Sequence, residues 1–86
     1  MFFVYILKSE VDGSFYIGYT SDLAKRLKEH NEGLSVYSSR KKPWIVVYYE
    51  KFEVKSEALK REKFLKKQKN REFYTRLMEE FVFKDR

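Results

Sequence analysis

The chain has 86 residues and a mass of 10.6 kDa, room for one domain around one small core. Hydrophobic residues make up 43% and aromatic residues 19%, which excludes disorder, and three glycines and one proline exclude collagen-like or linker character. Nineteen Lys and Arg against 13 Asp and Glu leave a formal charge of +6, the balance of a protein with a polyanionic partner, and the absence of cysteine excludes disulfides, thiolate zinc sites and a cysteine nucleophile.

Phe2 to Leu7 is a short, continuous apolar run rich in β-formers, as in a strand buried on both faces. It lacks the basic flank and cleavage site of a signal peptide, and no apolar run approaches the ~20 residues that cross a bilayer. A cytoplasmic location without membrane contact is therefore expected. Glu10 to Ser14 carries the Asp12-Gly13 hairpin signal, and Phe15 to Tyr19 returns as a second strand. Thr20 or Ser21 is expected to cap a first helix, with Asp22 in its first turn, Leu23, Ala24 and Leu27 as its apolar stripe and Gly33 as its stop. Residues 34–43 read as a polar, basic loop ending in Pro43. Trp44 to Tyr49 is the third strand, again apolar enough to be covered on both faces.

Ser56 is placed to cap a second helix running to about Lys69, and Asn70 reads as both a break and a fresh cap. In the third helix Phe73, Leu77 and Phe81, with Tyr74 and Met78, recur at helical spacing and mark a core face. The order is ββαβαα, an α+β fold with a small three-stranded antiparallel sheet and three helices, in a single domain over residues 1–86.

The charge is concentrated. Residues 1–30 sum to zero, residues 31–50 to +1 and residues 51–86 to +5, His30 taken as neutral. Lys60, Arg61, Lys63, Lys66, Lys67, Lys69 and Arg71 stand against Glu62 alone, a +6 segment. A patch of this kind is the footprint of phosphate-backbone contact, although a solvated helix face has the same composition. Ser38, Ser39, Arg40, Lys41 and Lys42, in the basic loop, add a second place for phosphate.

Tyr5 and Tyr16 lie eleven residues apart across the hairpin turn, at opposing or diagonal positions of one face. Gly18 marks a close approach by another group. Arg26 and His30, four apart, share a helix face at the edge of the Leu23–Leu27 stripe. Glu62 follows Ala58 by four and precedes Leu65 by three, so it projects near the packed side, where a lone carboxylate suits a magnesium ligand. Taken singly, each residue also has an ordinary role: a core tyrosine, a surface arginine, a histidine at a helix C-terminus, a glutamate paired with Lys63 or Lys66.

Phe3-Val4-Tyr5 followed by Tyr16-Ile17-Gly18 resembles the two halves of the GIY-YIG nuclease signature, with Phe-Val in place of Gly-Ile. The resemblance continues through Thr20, Arg26-Leu27, His30-Asn31, Pro43-Trp44 and Glu57 to Glu62. It is nearest to the small single-domain bacterial type, similar to the N-terminal domain of the excision-repair C subunit. It implies a DNA-repair-type endonuclease: Tyr5 and Tyr16 as the paired tyrosines, Arg26 as the helix arginine, His30 as the helix histidine and Glu62 as the metal ligand. Some members also use an asparagine after the glutamate helix; Asn70 is the candidate here and reads better as a cap.

The implied reaction is phosphodiester hydrolysis with Mg²⁺ or Mn²⁺. Arg26 would stabilise charge on the pentacovalent phosphorus, and Tyr5 would act as general base or orient the attacking water, with Tyr16 beside it. Free tyrosine titrates near ~10, so this basicity needs help, which Arg26 and the metal could give by favouring tyrosinate and His30 by accepting the phenolic proton. The expected partner is nucleic acid, DNA ahead of RNA, bound with low sequence specificity by a monomer. The alternatives are a non-catalytic nucleic-acid-binding module on the same fold and a domain whose basic helix meets an acidic protein. Trp44, Tyr19, Tyr37, Tyr48, Tyr49 and Tyr74 read as packing residues ahead of base-stacking ones.

Overall fold

The Asp12-Gly13 turn sets the first pairing. Gly13 takes a positive φ of 74°, and Asp12 accepts from the Ser14 backbone N–H and hydroxyl, which holds its carboxyl down to about 2. Strand β1 (Phe2–Ser9) thereby meets β2 (Phe15–Thr20) antiparallel, with Tyr5 opposite Gly18 and Leu7 opposite Tyr16. The computed structural model describes residues 1–33 and 39–84; Tyr37 and Ser38 lie outside the described residues.

The other elements are α1 (Leu23–Asn31), a 3₁₀ turn (Ser39–Lys41), β3 (Trp44–Phe52), α2 (Lys55–Gln68) and α3 (Arg71–Lys84), in the expected order ββαβαα. β3 pairs antiparallel with β1, so the sheet order is β2-β1-β3. The long apolar run of β1 belongs to the central strand, where Val4, Tyr5, Ile6 and Leu7 are buried. β3 is an edge strand: Trp44 is buried, Ile45 is exposed and the strand centre is half-buried, so its apolar run does not signify full cover.

A β-bulge between the partners of Ile6 and Leu7 pairs Ile6 with Tyr48 but Leu7 with Val46. The extra residue changes the parity of β3, and so Trp44, Val46 and Tyr49 come to share one face with Tyr5, Leu7 and Tyr16, under Leu23 and Leu27 of α1. The opposite face, Val4, Ile6 and Ile17, is covered by Ala58 and Leu65 of α2 and Tyr74 of α3.

Two caps differ from expectation. The N-cap of α1 is Asp22, whose Oδ1 accepts from Lys25 N at 3.1 Å. Thr20 is still paired with Phe3 in the sheet, and its hydroxyl instead accepts from Asp22 N. Helix α2 starts at Lys55, before Ser56, with Val54 as N-cap and no side-chain cap; Glu57 supplies favourable charge to its first turn. Asn70 does cap α3, accepting from Glu72 N at 2.9 Å, and the preceding Lys69 ends α2 in the left-handed region at φ 44°.

Candidate active site

The α1 face of the sheet gathers four of the five residues singled out from the sequence. Tyr5 and Tyr16 are diagonal neighbours on β1 and β2, ring centroids 6.4 Å apart and stacked. Room for this exists because Gly18 has no side chain: a Cβ there would stand 2.6 Å from the Tyr5 hydroxyl oxygen and 2.8 Å from its Cζ. The close approach expected at Gly18 is thus the Tyr5 phenol lying across β2.

His30, in the last turn of α1, is fully buried between the two strands and Trp44. Its Nε2 lies 3.4 Å from the Tyr5 hydroxyl, and its ring meets Tyr16 edge-on at 4.6 Å. Burial, then the Arg26 charge, hold His30 below its ordinary value of 6.5, so it is a neutral imidazole that can accept at one nitrogen. Asn31, quoted in the sequence motif without a role, brackets the Trp44 backbone, donating to its carbonyl at 3.1 Å and accepting from its N–H. It ties the end of α1 to β3, and its place beside His30 was the only sequence signal for it.

Arg26 is one turn back on α1, its side chain 34% exposed and 3.3 Å from Glu29. Burial works against its charge, but hydrogen bonds to Tyr5 and Glu29 outweigh this and raise its pKa, so it stays cationic. Tyr5 is pushed up to about 12, because desolvation of the phenol exceeds the opposing pull of Arg26. The help expected from Arg26 toward tyrosinate is present in direction and too small in size; at neutral pH Tyr5 is a phenol.

Glu62 comes from the other layer. Ala58 and Leu65 of α2 are fully buried, which turns Glu62 inward to 17% side-chain exposure. Its charge reaches Tyr5, where it contributes to the upward shift, and its carboxylate pairs with Lys66 at 3.4 Å. Among the described residues no three of His, Asp and Glu gather around a common point. A metal here would have Glu62 as its one carboxylate, a donor set that suits Mg²⁺, which keeps several waters and takes phosphate oxygens from its substrate. The pair with Lys66, four residues on along the same helix, is the ordinary role that the sequence also allowed for Glu62.

The basic residues separate by location. Lys60, Lys63, Lys66, Lys67 and Lys69 are exposed along α2. Arg61 instead turns to β3, bonding Glu50 through Nε at 2.9 Å, while Tyr48 donates to the same carboxylate. Arg71 donates to the Gly13 carbonyl at 2.9 Å and lies over the Phe15 ring, fastening α3 to the hairpin. Lys41 pairs with Asp12 at 3.4 Å and its carbonyl accepts from the buried Ser9 hydroxyl, while Arg40 and Lys42 beside it are exposed.

Comparison with known proteins gives a consistent picture. Residues 1–76 match the family model of the GIY-YIG catalytic domain. A UPF0213 protein of Listeria innocua is 43% identical over 81 residues, 91% of this chain and 89% of that protein. A UPF0213 protein of Staphylococcus aureus is 49% identical over 61 residues, 70% of this chain and 73% of that protein. The solution NMR structure of a UPF0213 protein from Bacillus halodurans is similar at a TM-score of 0.54 and 35% identity, covering 87% of this chain and 81% of that one. No helix among the described residues is long and apolar enough to cross a membrane.

Proposed function

Because the chain belongs to the GIY-YIG catalytic-domain family, a family of nucleases acting on nucleic acid, we propose that it is a metal-dependent endonuclease. It hydrolyses phosphodiester bonds in DNA, with RNA as the second candidate, and recognises nucleic-acid shape more than sequence. The observation that carries this reading is the meeting of Tyr5, Tyr16, Arg26 and His30 on one sheet face with the Glu62 charge acting on Tyr5.

A water oxygen attacks phosphorus while the bond to the leaving sugar oxygen breaks, and that oxygen takes a proton from solvent to leave as a hydroxyl. Tyr5, a phenol at neutral pH, orients that water. As it takes the water proton it passes its own to His30 Nε2, 3.4 Å away, and the buried imidazole becomes imidazolium. Tyr16 stacks on Tyr5 and restricts its ring. Arg26 faces the charge that develops on the phosphoryl oxygens, a contribution typically of ~3–4 kcal/mol for a preorganised donor. Glu62 would hold Mg²⁺ or Mn²⁺, which when bound supplies Lewis-acid neutralisation of the phosphate.

The test is incubation of purified protein with branched, single-stranded and duplex DNA and structured RNA in Mg²⁺ or Mn²⁺. At least one substrate is cut, and Tyr5→Phe and Glu62→Gln each lower the rate by roughly 100-fold or more. Full cleavage by Glu62→Gln overturns the assignment. Salt-sensitive binding without cutting under either metal makes the chain a binding module instead.

A further inference from the structure

Helix α2 sends its cations to two sides. Arg61 is spent on Glu50. Lys66 and Lys69 instead line an open cleft of about 540 Å³ whose other walls are Phe15, Tyr16, Ile17 and Tyr74. Clefts that hold small ligands span ~300–1,000 Å³. β2 is an edge strand, and Tyr16 stands on the opposite sheet face from Phe15 and Ile17. The cleft therefore wraps the strand edge, starting at the α2–α3 layer and ending at a tyrosine of the active site.

Its cationic rim is built in. The Tyr74 hydroxyl donates to the Leu65 carbonyl at 2.6 Å and accepts from Lys69 N at 3.1 Å, which fixes the last turn of α2 and the left-handed Lys69 after it. Lys66 stands between the cleft and Glu62, 3.4 Å from its carboxylate. Arg71 covers the Phe15 ring at 4.9 Å and adds a third cation at the same edge. Ammonium groups interleaved with aromatic rings suit a strand of nucleotides, whose phosphates take the charge and whose sugars and bases take the apolar wall. An acidic peptide would use the charge and leave the aromatic wall idle.

We propose that the β2–α2 cleft is a nucleotide subsite that holds the substrate strand next to the scissile phosphate. Lys66 and Lys69 each bind one of the two phosphates next along the strand, and the sugar and base pack against Phe15 and Tyr74. The subsite rests on the nuclease reading and gives the strand a direction, along the β2 edge toward Tyr16.

The experiment is fluorescence anisotropy of a short fluorescein-labelled single-stranded DNA with the full chain in EDTA, across a salt series. Lys66→Gln with Lys69→Gln shrinks the slope of log affinity against log salt by about 1.4, two single-strand contacts. Lys28→Gln with Lys51→Gln removes the same charge from exposed positions outside the cleft and leaves the slope within a few tenths of wild type. Phe15→Leu weakens binding about tenfold and keeps the slope, as loss of a stacking wall does. Equal slopes for the two lysine pairs, or an unchanged slope for the cleft pair, overturn the subsite. Poly-glutamate bound as tightly as the oligonucleotide and with the same cleft dependence assigns the cleft to an acidic protein and also overturns it. Wild-type protein that cuts DNA while the cleft pair has no effect removes the subsite alone, whereas wild-type protein that neither binds nor cuts removes the nuclease reading itself.

Discussion

Among the described residues, two tyrosine–arginine–glutamate constellations can be compared, and their charges are paired differently. On β3 and α2, Tyr48 and Arg61 both bind Glu50, and the carboxylate is closed off by its neighbours. At the candidate active site, Arg26 pairs with Glu29 and Glu62 with Lys66, so the arginine and the carboxylate are not paired with each other. Both tyrosines are pushed up to about 12 by burial, Tyr48 also by Glu50. A raised phenol is thus no mark of catalysis. What distinguishes the sites is the pairing: Arg61 is held by the carboxylate of its own constellation, whereas Arg26 and Glu62 are each paired with a residue of their own helix.

The sharpest way to break this distinction is to remove each carboxylate charge in turn. Glu62→Gln lowers cleavage by roughly 100-fold or more, while Glu50→Gln leaves the rate within a few-fold, both read on the substrate cut in Mg²⁺. Equal losses would mean that the Glu50 site is also catalytic or that both changes merely unfold the chain, which the melting curves of the same variants separate.

A second variant tests the packing that makes the active constellation possible. Gly18→Ala places a methyl group against the Tyr5 phenol, 2.6 Å from its oxygen, and costs ~1–3 kcal/mol as overpacking does. It lowers the denaturation midpoint and, because Tyr5 must move from His30, lowers cleavage with it. Wild-type stability in this variant would show that the phenol moves aside freely and is not held by the sheet.

The closed constellation answers with stability. Glu50→Gln loses the charge that binds Arg61 and costs about 1 kcal/mol, measured by denaturant unfolding. The smallest effect is in pH. The folded His30 pKa lies below 6.5, so as pH falls through 6.5 the unfolded state takes up a proton that the folded state refuses, and stability declines down to the depressed value. Tyr5 and Tyr48 act at the other end: the unfolded phenols ionise near 10 and the folded ones near 12, so stability falls as pH rises between those values. Replacing His30 by Gln removes the loss of stability that begins just below pH 6.5, leaves the further loss at the lower pH where Asp12 is protonated, and keeps the alkaline arm.

Much of this was legible in the chain. The apolar run of β1, the Asp12-Gly13 turn and the helical recurrence of Phe73, Leu77 and Phe81 each act over a few residues, and they yield ββαβαα with Tyr5 and Tyr16 diagonal on one face. Gly18 stood out as a close approach, and Asn70 as a cap. Parity in β3 was not legible, because the bulge that brings Trp44 and Tyr49 to the same face depends on pairing with β1. Thr20 looked like a cap because sequence does not reveal that the sheet keeps it in register with Phe3.

By itself, then, the sequence determined the order of elements, the aromatic face that carries the site and the concentration of charge on one helix, since turn chemistry and side-chain period are local. Only the tertiary structure decided which of the cations on α2 is bound to Glu50 and which border the β2 cleft. It also decided that Tyr5 is a phenol and His30 a neutral imidazole. Both are consequences of desolvation and ion pairing between groups distant in the chain, as Tyr5 and His30 are at 25 residues, and those energies exist only once the sheet and helices have excluded water from between them.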